Sequence, residues 1–218
     1  MVPMQNEIAF DTKTATAFIG GLSAPSKMPC FSFSIPAIYC KTGMKLRNVK
    51  NSICSKCYAL KGRYVFGVVK AAMQRRFDKL TDSNWVNAMT IAIRGNESSG
   101  HFRWHDSGDI QSLQHLINIV QIAKNLPNIK FWLPSREYSL VSEYVKQYGA
   151  FPDNLIIRLS ALTIDGAPPT TIANRIGCVT SGVSKEGFTC PSVKQGGKCL
   201  DCRACWDKNV TNVNYKLH

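Results

Sequence analysis

The sequence predicts an α/β protein: a parallel sheet or partial (β/α) barrel, with an irregular cysteine-rich N-terminal segment and a small cysteine-rich C-terminal appendage. Three observations carry that expectation. Runs of strand-forming residues at 101–105, 129–133 and 155–160 alternate with segments of helical periodicity, the pattern of crossover units in a parallel sheet. A chain of 218 residues at 44% hydrophobic composition is long enough to close a full core. The nine cysteines lie outside the alternating region, four of them between Cys30 and Cys57 and five between Cys178 and Cys205.

Residues 1–60 read as irregular, because Gly20, Gly21, Pro25, Pro29, Pro36 and Gly43 are too closely spaced for a long helix. Tyr64, Val65, Val68, Val69, Ala72, Met73, Phe77 and Leu80 then recur at helical spacing. A second helix is expected from Asn84 to Ile93, ended by Gly95 and Asn96. The strand at 101–105 breaks at Ser107-Gly108; Leu113, Leu116, Ile117, Val120 and Ile122 mark a helix that stops before Pro127. A strand at 129–133, a helix from Leu140 to Tyr148 and a strand at 155–160 complete the repeat. Glycines 177, 182, 187, 196 and 197 make the tail a looped region. Three parts follow: 1–60, an irregular segment with an N-terminal metal-ligand loop; 61–175, a βα-repeat core; 176–218, a C-terminal metal-binding appendage.

Lys and Arg number 27 against 14 Asp and Glu, a formal charge of +13 that favours an anionic partner, nucleic acid or nucleotide. No run approaches the roughly 18 apolar residues of a membrane span. The N-terminus lacks a basic region followed by an apolar one, so a reducing, cytoplasmic location is expected, where structural disulfides are uncommon. A second copy of the chain in a homo-oligomer, or a host protein, is the alternative partner to expect.

The spacing C-x8-C-x2-C-x2-C at Cys190, Cys199, Cys202 and Cys205 suits four thiolates round an iron-sulfur cluster or a structural zinc ion. Cys54 and Cys57 form a C-x2-C pair with Cys40 upstream. Cys30 is a further candidate ligand, and Cys178 reads as a core thiol. In parallel sheets chemistry gathers beyond the carboxyl ends of the strands. Those ends carry His105, Asp106, Ser107, Gly108 and Asp109; Ser135, Arg136 and Glu137; and Arg158, Ser160, Thr163 and Asp165.

The ordered segments SKCYALKGRY, HFRWHDSGDI, KFWLPSREYS, IIRLSAL and KCLDCRACW resemble the phage-encoded gene product 88 family over nearly the whole chain. That resemblance implies a phage or prophage origin, hence a host-cell cytoplasm, and no particular chemistry. The arrangement also resembles, more distantly, the radical S-adenosylmethionine superfamily. There Cys40, Cys54 and Cys57 would hold a 4Fe-4S cluster, although Lys50 stands where the superfamily's first cysteine would be. Ser107, Gly108 and Asp109 would bind the cofactor amine, Arg136 and Ser160 its carboxylate or ribose, and Cys190, Cys199, Cys202 and Cys205 an auxiliary 4Fe-4S cluster. His105 and Asp106 would face the substrate as catalytic residues.

Three functions are therefore expected in turn. The first is an iron-sulfur enzyme of radical S-adenosylmethionine type acting on a nucleotide or nucleic acid. The second is a nucleic-acid-binding protein with structural iron-sulfur or zinc sites, using Lys194, Lys198, Arg203 and Lys208 with Trp206 as a stacking surface. The third is a metal-dependent nuclease using His105, Asp106 and Asp109.

Overall fold

A computed structural model describes residues 8–187 and 189–217; the expected irregular segment's first seven residues, and residues 188 and 218 of the expected appendage, lie outside them. In chain order the elements are α1 (Thr12–Phe18), β1 (Ser32–Phe33), α2 (Lys41–Leu46), α3 (Gly67–Asp78), α4 (Trp85–Asn96), β2 (His101–Trp104) and α5 (Leu113–Asn125). They continue with β3 (Lys130–Ser135), α6 (Tyr138–Tyr148), β4 (Leu155–Ser160), α7 (Thr170–Arg175), β5 (Val179–Ser184) and β6 (Asn212–Lys216). Helix starts follow local chemistry. Asp11 caps α1 by accepting from the Thr14 N–H at 2.7 Å while Thr14 Oγ1 accepts from the Asp11 N–H at 3.0 Å, a reciprocal capping box. Ser112 caps α5 by accepting from the His115 N–H at 3.1 Å.

All six strands are parallel and pair in sequence order, β1 to β6. Stepping one strand over in one direction, with connections of one hand, puts the connecting helices on a single face. Side chains alternate across that sheet. Phe33, Phe102, Phe131, Leu133, Ile157 and Leu159 share one continuous core with Met89 and Ile93 of α4, Leu116 and Val120 of α5, and Val141 of α6. Each such side chain contributes roughly 1.5–3 kcal/mol of burial. The intervening residues face the other way. Trp132 meets Trp206 edge to face at 5.3 Å, beside Cys30, in a second small cluster.

Arg158 is fully buried on this second face without a carboxylate partner. Its guanidinium instead donates to the carbonyl oxygens of Thr180, Ala204, Cys205, Asp207 and Val210 at 2.6–3.1 Å. One side chain from the middle of the sheet thus fixes the path of residues 204–210 across it. Trp206 adds a hydrogen bond from Nε1 to the Phe102 carbonyl at 2.9 Å.

The sequence-based strands at 101–105, 129–133 and 155–160 correspond to β2, β3 and β4 within two residues. The alternation of strands and helices thus identified an α/β parallel sheet. No barrel closes: β1 and β6 are the sheet's edges and do not pair. Three strands escaped the reading. β1 is two residues in a proline-rich stretch, and β5 has the sequence VTSGVS, whose serines and glycine carry little strand signal. Nor do the cysteines gather into compact terminal modules, since Cys30 and Cys178 are buried in the body of the fold.

Candidate functional site

A cavity of about 1060 Å³ opens at the carboxyl ends of the strands. It is walled on one side by the turn after β2 and the ends of β3 to β6, and on the other by residues 53–72. The turn after β2 is tightly built. His105 takes φ +52° and Gly108 φ +89°, and a Cβ on Gly108 would sit 2.2 Å from Ile35 Cγ1. Only glycine tolerates both that backbone and that approach. Ser107 locks the turn to the segment after β1, donating from Oγ to the Ile35 carbonyl at 3.0 Å while its own carbonyl accepts from the Ile35 N–H at 3.1 Å.

The two aspartates of this turn are buried and fully engaged. Asp106 accepts from Ser32 Oγ at 2.8 Å and from the Tyr64 hydroxyl at 3.0 Å, and its carbonyl accepts from the Tyr58 hydroxyl. Asp109 accepts from Ser135 Oγ at 2.7 Å and from the N–H groups of Ile110 and Arg136 at 2.8 and 2.9 Å. Burial nevertheless outweighs those donors and pushes the Asp109 carboxyl up to about 6. His105 is held neutral, its pKa lowered by burial and then by His115, whose ring centroid lies 5.3 Å away.

The cations of the cavity are differently disposed. Among the described residues the Arg136 guanidinium donates only from Nε, to the Ala161 carbonyl at 3.1 Å. Arg103 stacks over Trp132 at 4.4 Å and donates to the Tyr58 hydroxyl at 3.3 Å, while its Nε has no hydrogen-bond partner. Lys56 and Arg63 line the same cavity. The three ion pairs among the described residues, Lys79–Asp82, Lys185–Asp165 and Lys208–Asp153, involve none of these four. Ser160 Oγ lies 3.1 Å from Ser181 Oγ on the cavity wall. A separate open depression of about 650 Å³ beside α1, near Thr12 and Arg75, has no cluster of titratable groups.

The structure brings His105, Asp106, Ser107, Gly108, Asp109, Arg136 and Ser160 to one cavity, together with Cys40, Cys54 and Cys57. It does not give them the chemistry expected for the cysteines. Among the described residues no group of three or more His, Cys, Asp or Glu side chains is set to hold a metal ion. This overturns the 4Fe-4S clusters, the zinc alternative, the radical S-adenosylmethionine enzyme with its cofactor, the binding protein with structural metal sites and the metal-dependent nuclease. The physical reasons are local. Burial raises the pKa of the Cys40 and Cys54 thiols and pushes Cys205 up to about 11, so in the metal-free fold these groups are held as thiols.

Cys190 is hydrogen-bonded to Ser192 Oγ at 3.2 Å, and Cys205 lies 3.1 Å from the Tyr215 hydroxyl. Cys199 and Cys202 join them in no metal-holding group, and neither does Cys57 with Cys40 and Cys54. All nine cysteines are free thiols. Asp106 and Asp109 spend their oxygens on internal donors. Trp206 is buried and hydrogen-bonded, so it offers no stacking surface, and Arg158 is a clamp on backbone carbonyls rather than a ligand contact.

Sequence reasoning passed over Lys56, Arg63 and Arg103. Glu137, expected at the end of β3, accepts from the N–H and hydroxyl of Thr42 at 2.8 and 2.9 Å and so pins α2 beside the cavity. A signal for the first two was present. Residues 12–77 contain no Asp or Glu at all, and 12 of the chain's 27 Lys and Arg. The formal positive charge, which reads as dispersed when only tails are considered, is largely the property of this one stretch.

Among the described residues no helix is long and apolar enough to cross a membrane. No curated protein and no solved structure matches the chain, and nothing in these comparisons supports the likeness to the radical S-adenosylmethionine superfamily. The expected phage family does match, under the description Gene product 88, over residues 6–208, and the chain belongs to that family.

Proposed function

We propose that the protein binds a phosphorylated anion of nucleotide size in the cavity at the carboxyl ends of its strands. The observation that carries this reading is a group of cations there, Lys56, Arg63, Arg103 and Arg136, none of which forms an ion pair with a carboxylate among the described residues. Cations left unpaired in a concave site, with aromatic rings beside them, suit an anion with an apolar or aromatic portion. Tyr58 and Tyr64, 5.6 Å apart, are those rings. The volume of about 1060 Å³ accommodates a nucleotide.

In this reading the terminal nitrogens of Arg136 meet phosphate oxygens, and Ser160 offers a hydroxyl to the ligand's polar groups. Asp109 sets the local charge according to its protonation, and His105 and Asp106 form the floor. Calorimetric titration with nucleoside triphosphates, and with the corresponding nucleosides, tests the proposal. Saturable binding of the triphosphate, absent for the nucleoside and weakened at least about tenfold by Arg136→Gln, is expected. Equal binding of the nucleoside, or triphosphate binding that Arg136→Gln leaves untouched, would remove the basis for it.

A further inference from the structure

The segment that walls the cavity continues past its mouth as an exposed run with an uncommon composition. Tyr58, Val65, Phe66 and Val68 are 37%, 42%, 57% and 79% exposed. Large apolar side chains at such exposure, four within eleven positions, form a patch and not a scatter of single residues. Lys56, Lys61, Arg63 and Lys70 are interleaved with them, all exposed, within the acid-free stretch of residues 12–77.

The patch is continuous with the cavity. Tyr58, Arg63 and Val68 line the cavity and belong to the exposed run as well. The run is also anchored to the cavity floor. The hydroxyls of Tyr58 and Tyr64 both reach Asp106 at the end of β2, so the 3₁₀ turns at Tyr58–Leu60 and Gly62–Val65 sit on a fixed support. Phe66 follows the second turn and begins α3. Its backbone is fixed there, its N–H donating to the Arg63 carbonyl at 3.2 Å and its carbonyl accepting from the Val69 and Lys70 N–H groups at 3.0 and 2.9 Å.

Cations alternating with exposed aromatic and apolar side chains, without a carboxylate among them, match a partner that is polyanionic and carries flat apolar faces. Phosphates and unstacked bases have those two properties. From this we infer that the partner is a single-stranded polynucleotide, which crosses the rim at Phe66 and Val68 with one nucleotide in the cavity; the inference rests on the cavity taking a phosphorylated group. A duplex is disfavoured because its bases are stacked inward and cannot reach Phe66. Bases stack on Phe66, while Lys61, Arg63 and Lys70 meet the backbone.

The test compares a labelled single strand of about twelve nucleotides, the same sequence as a duplex, and a nucleoside triphosphate, each titrated into the full chain and into Phe66→Ala. Phe66 is exposed, so its truncation leaves the fold intact, as circular dichroism of the variant checks. The single strand is expected to bind at least about tenfold tighter than the duplex, and Phe66→Ala to weaken it at least about fivefold with triphosphate affinity unchanged. Charge-neutralising Lys61→Gln with Lys70→Gln should lower the slope of affinity against salt. Unchanged single-strand affinity in Phe66→Ala, or duplex binding equal to single-strand binding, overturns the inference. The cavity reading is judged separately, by the effect of Arg136→Gln on the triphosphate.

Discussion

The helix-covered face of the sheet buries Phe33, Phe102, Phe131, Leu133 and Leu159, whereas the opposite face of the same strands carries Ser32, Arg103, Trp132, Arg158 and Ser160. One backbone, with side chains alternating at a period of two, therefore serves two purposes. The first face is stabilised by burial that tolerates exchange among apolar residues. The second has no such redundancy, since each polar group is fixed by a named partner or faces the cavity. Substitutions on the second face should therefore divide into large structural effects where a side chain is fully engaged and ligand effects where it is not.

The largest effect is expected for Arg158→Met. It keeps an apolar side chain but strands five carbonyl oxygens now bonded to the guanidinium. A loss of about 3–5 kcal/mol, read as a lower urea midpoint, is expected; a loss below about 1 kcal/mol would mean that water replaces the guanidinium easily and that the second face is as forgiving as the first. Gly108→Ala comes next. Both φ +89° and the 2.2 Å approach to Ile35 oppose it, for about 2–3 kcal/mol by thermal melting.

Arg136→Gln should then separate binding from stability. Its side chain makes one hydrogen bond within the fold, so the urea midpoint should scarcely move while triphosphate affinity falls about tenfold, near 1.4 kcal/mol. A matching loss of stability would place Arg136 with Arg158 among the structural groups.

The smallest effect concerns pH. Asp109 has its carboxyl raised from 3.8 to about 6 by burial, so the folded chain holds this proton more tightly than the unfolded chain. Its contribution to stability is full below the unfolded value and is lost as pH rises through about 6. The same titration places a negative charge in the cavity above that point. Affinity for a phosphodiester strand, which does not itself titrate there, should rise about threefold as pH falls from about 7 to about 5. Asp109→Asn should flatten that dependence, and an equally steep profile in the variant would assign the titration elsewhere.

The apolar face was the legible part of the sequence. Phe102, Trp104, Phe131, Leu133, Ile157 and Leu159 fall in short strand-like runs, and the α5 pattern from Leu113 to Ile122 marks one side of a helix, so β2 to β4 and α3 to α6 emerge from periodicity alone. The polar strand ends at His105–Asp109, Arg136 and Ser160 were legible too, because a parallel sheet collects them at one edge. What could not be read was partnership. Cysteine spacing says which thiols are near in sequence, but whether they converge as thiolates depends on burial and on neighbours such as Tyr215, which lies on another strand. The strands β5 and β6 were hidden for a related reason: Ser181 meets Ser160, and Ser181, Val183, Tyr215 and Lys216 line the cavity, so these strands lack the alternating apolar signal.

A structure of the protein crystallised with a nucleoside triphosphate is the most direct test of the claim that the second face of the sheet presents an anion site. The expected result is phosphate density against the terminal nitrogens of Arg136, with the base against the rings of Tyr58 or Tyr64. Density confined to surface lysines away from the cavity, with the cavity holding solvent alone at saturating ligand, would contradict it.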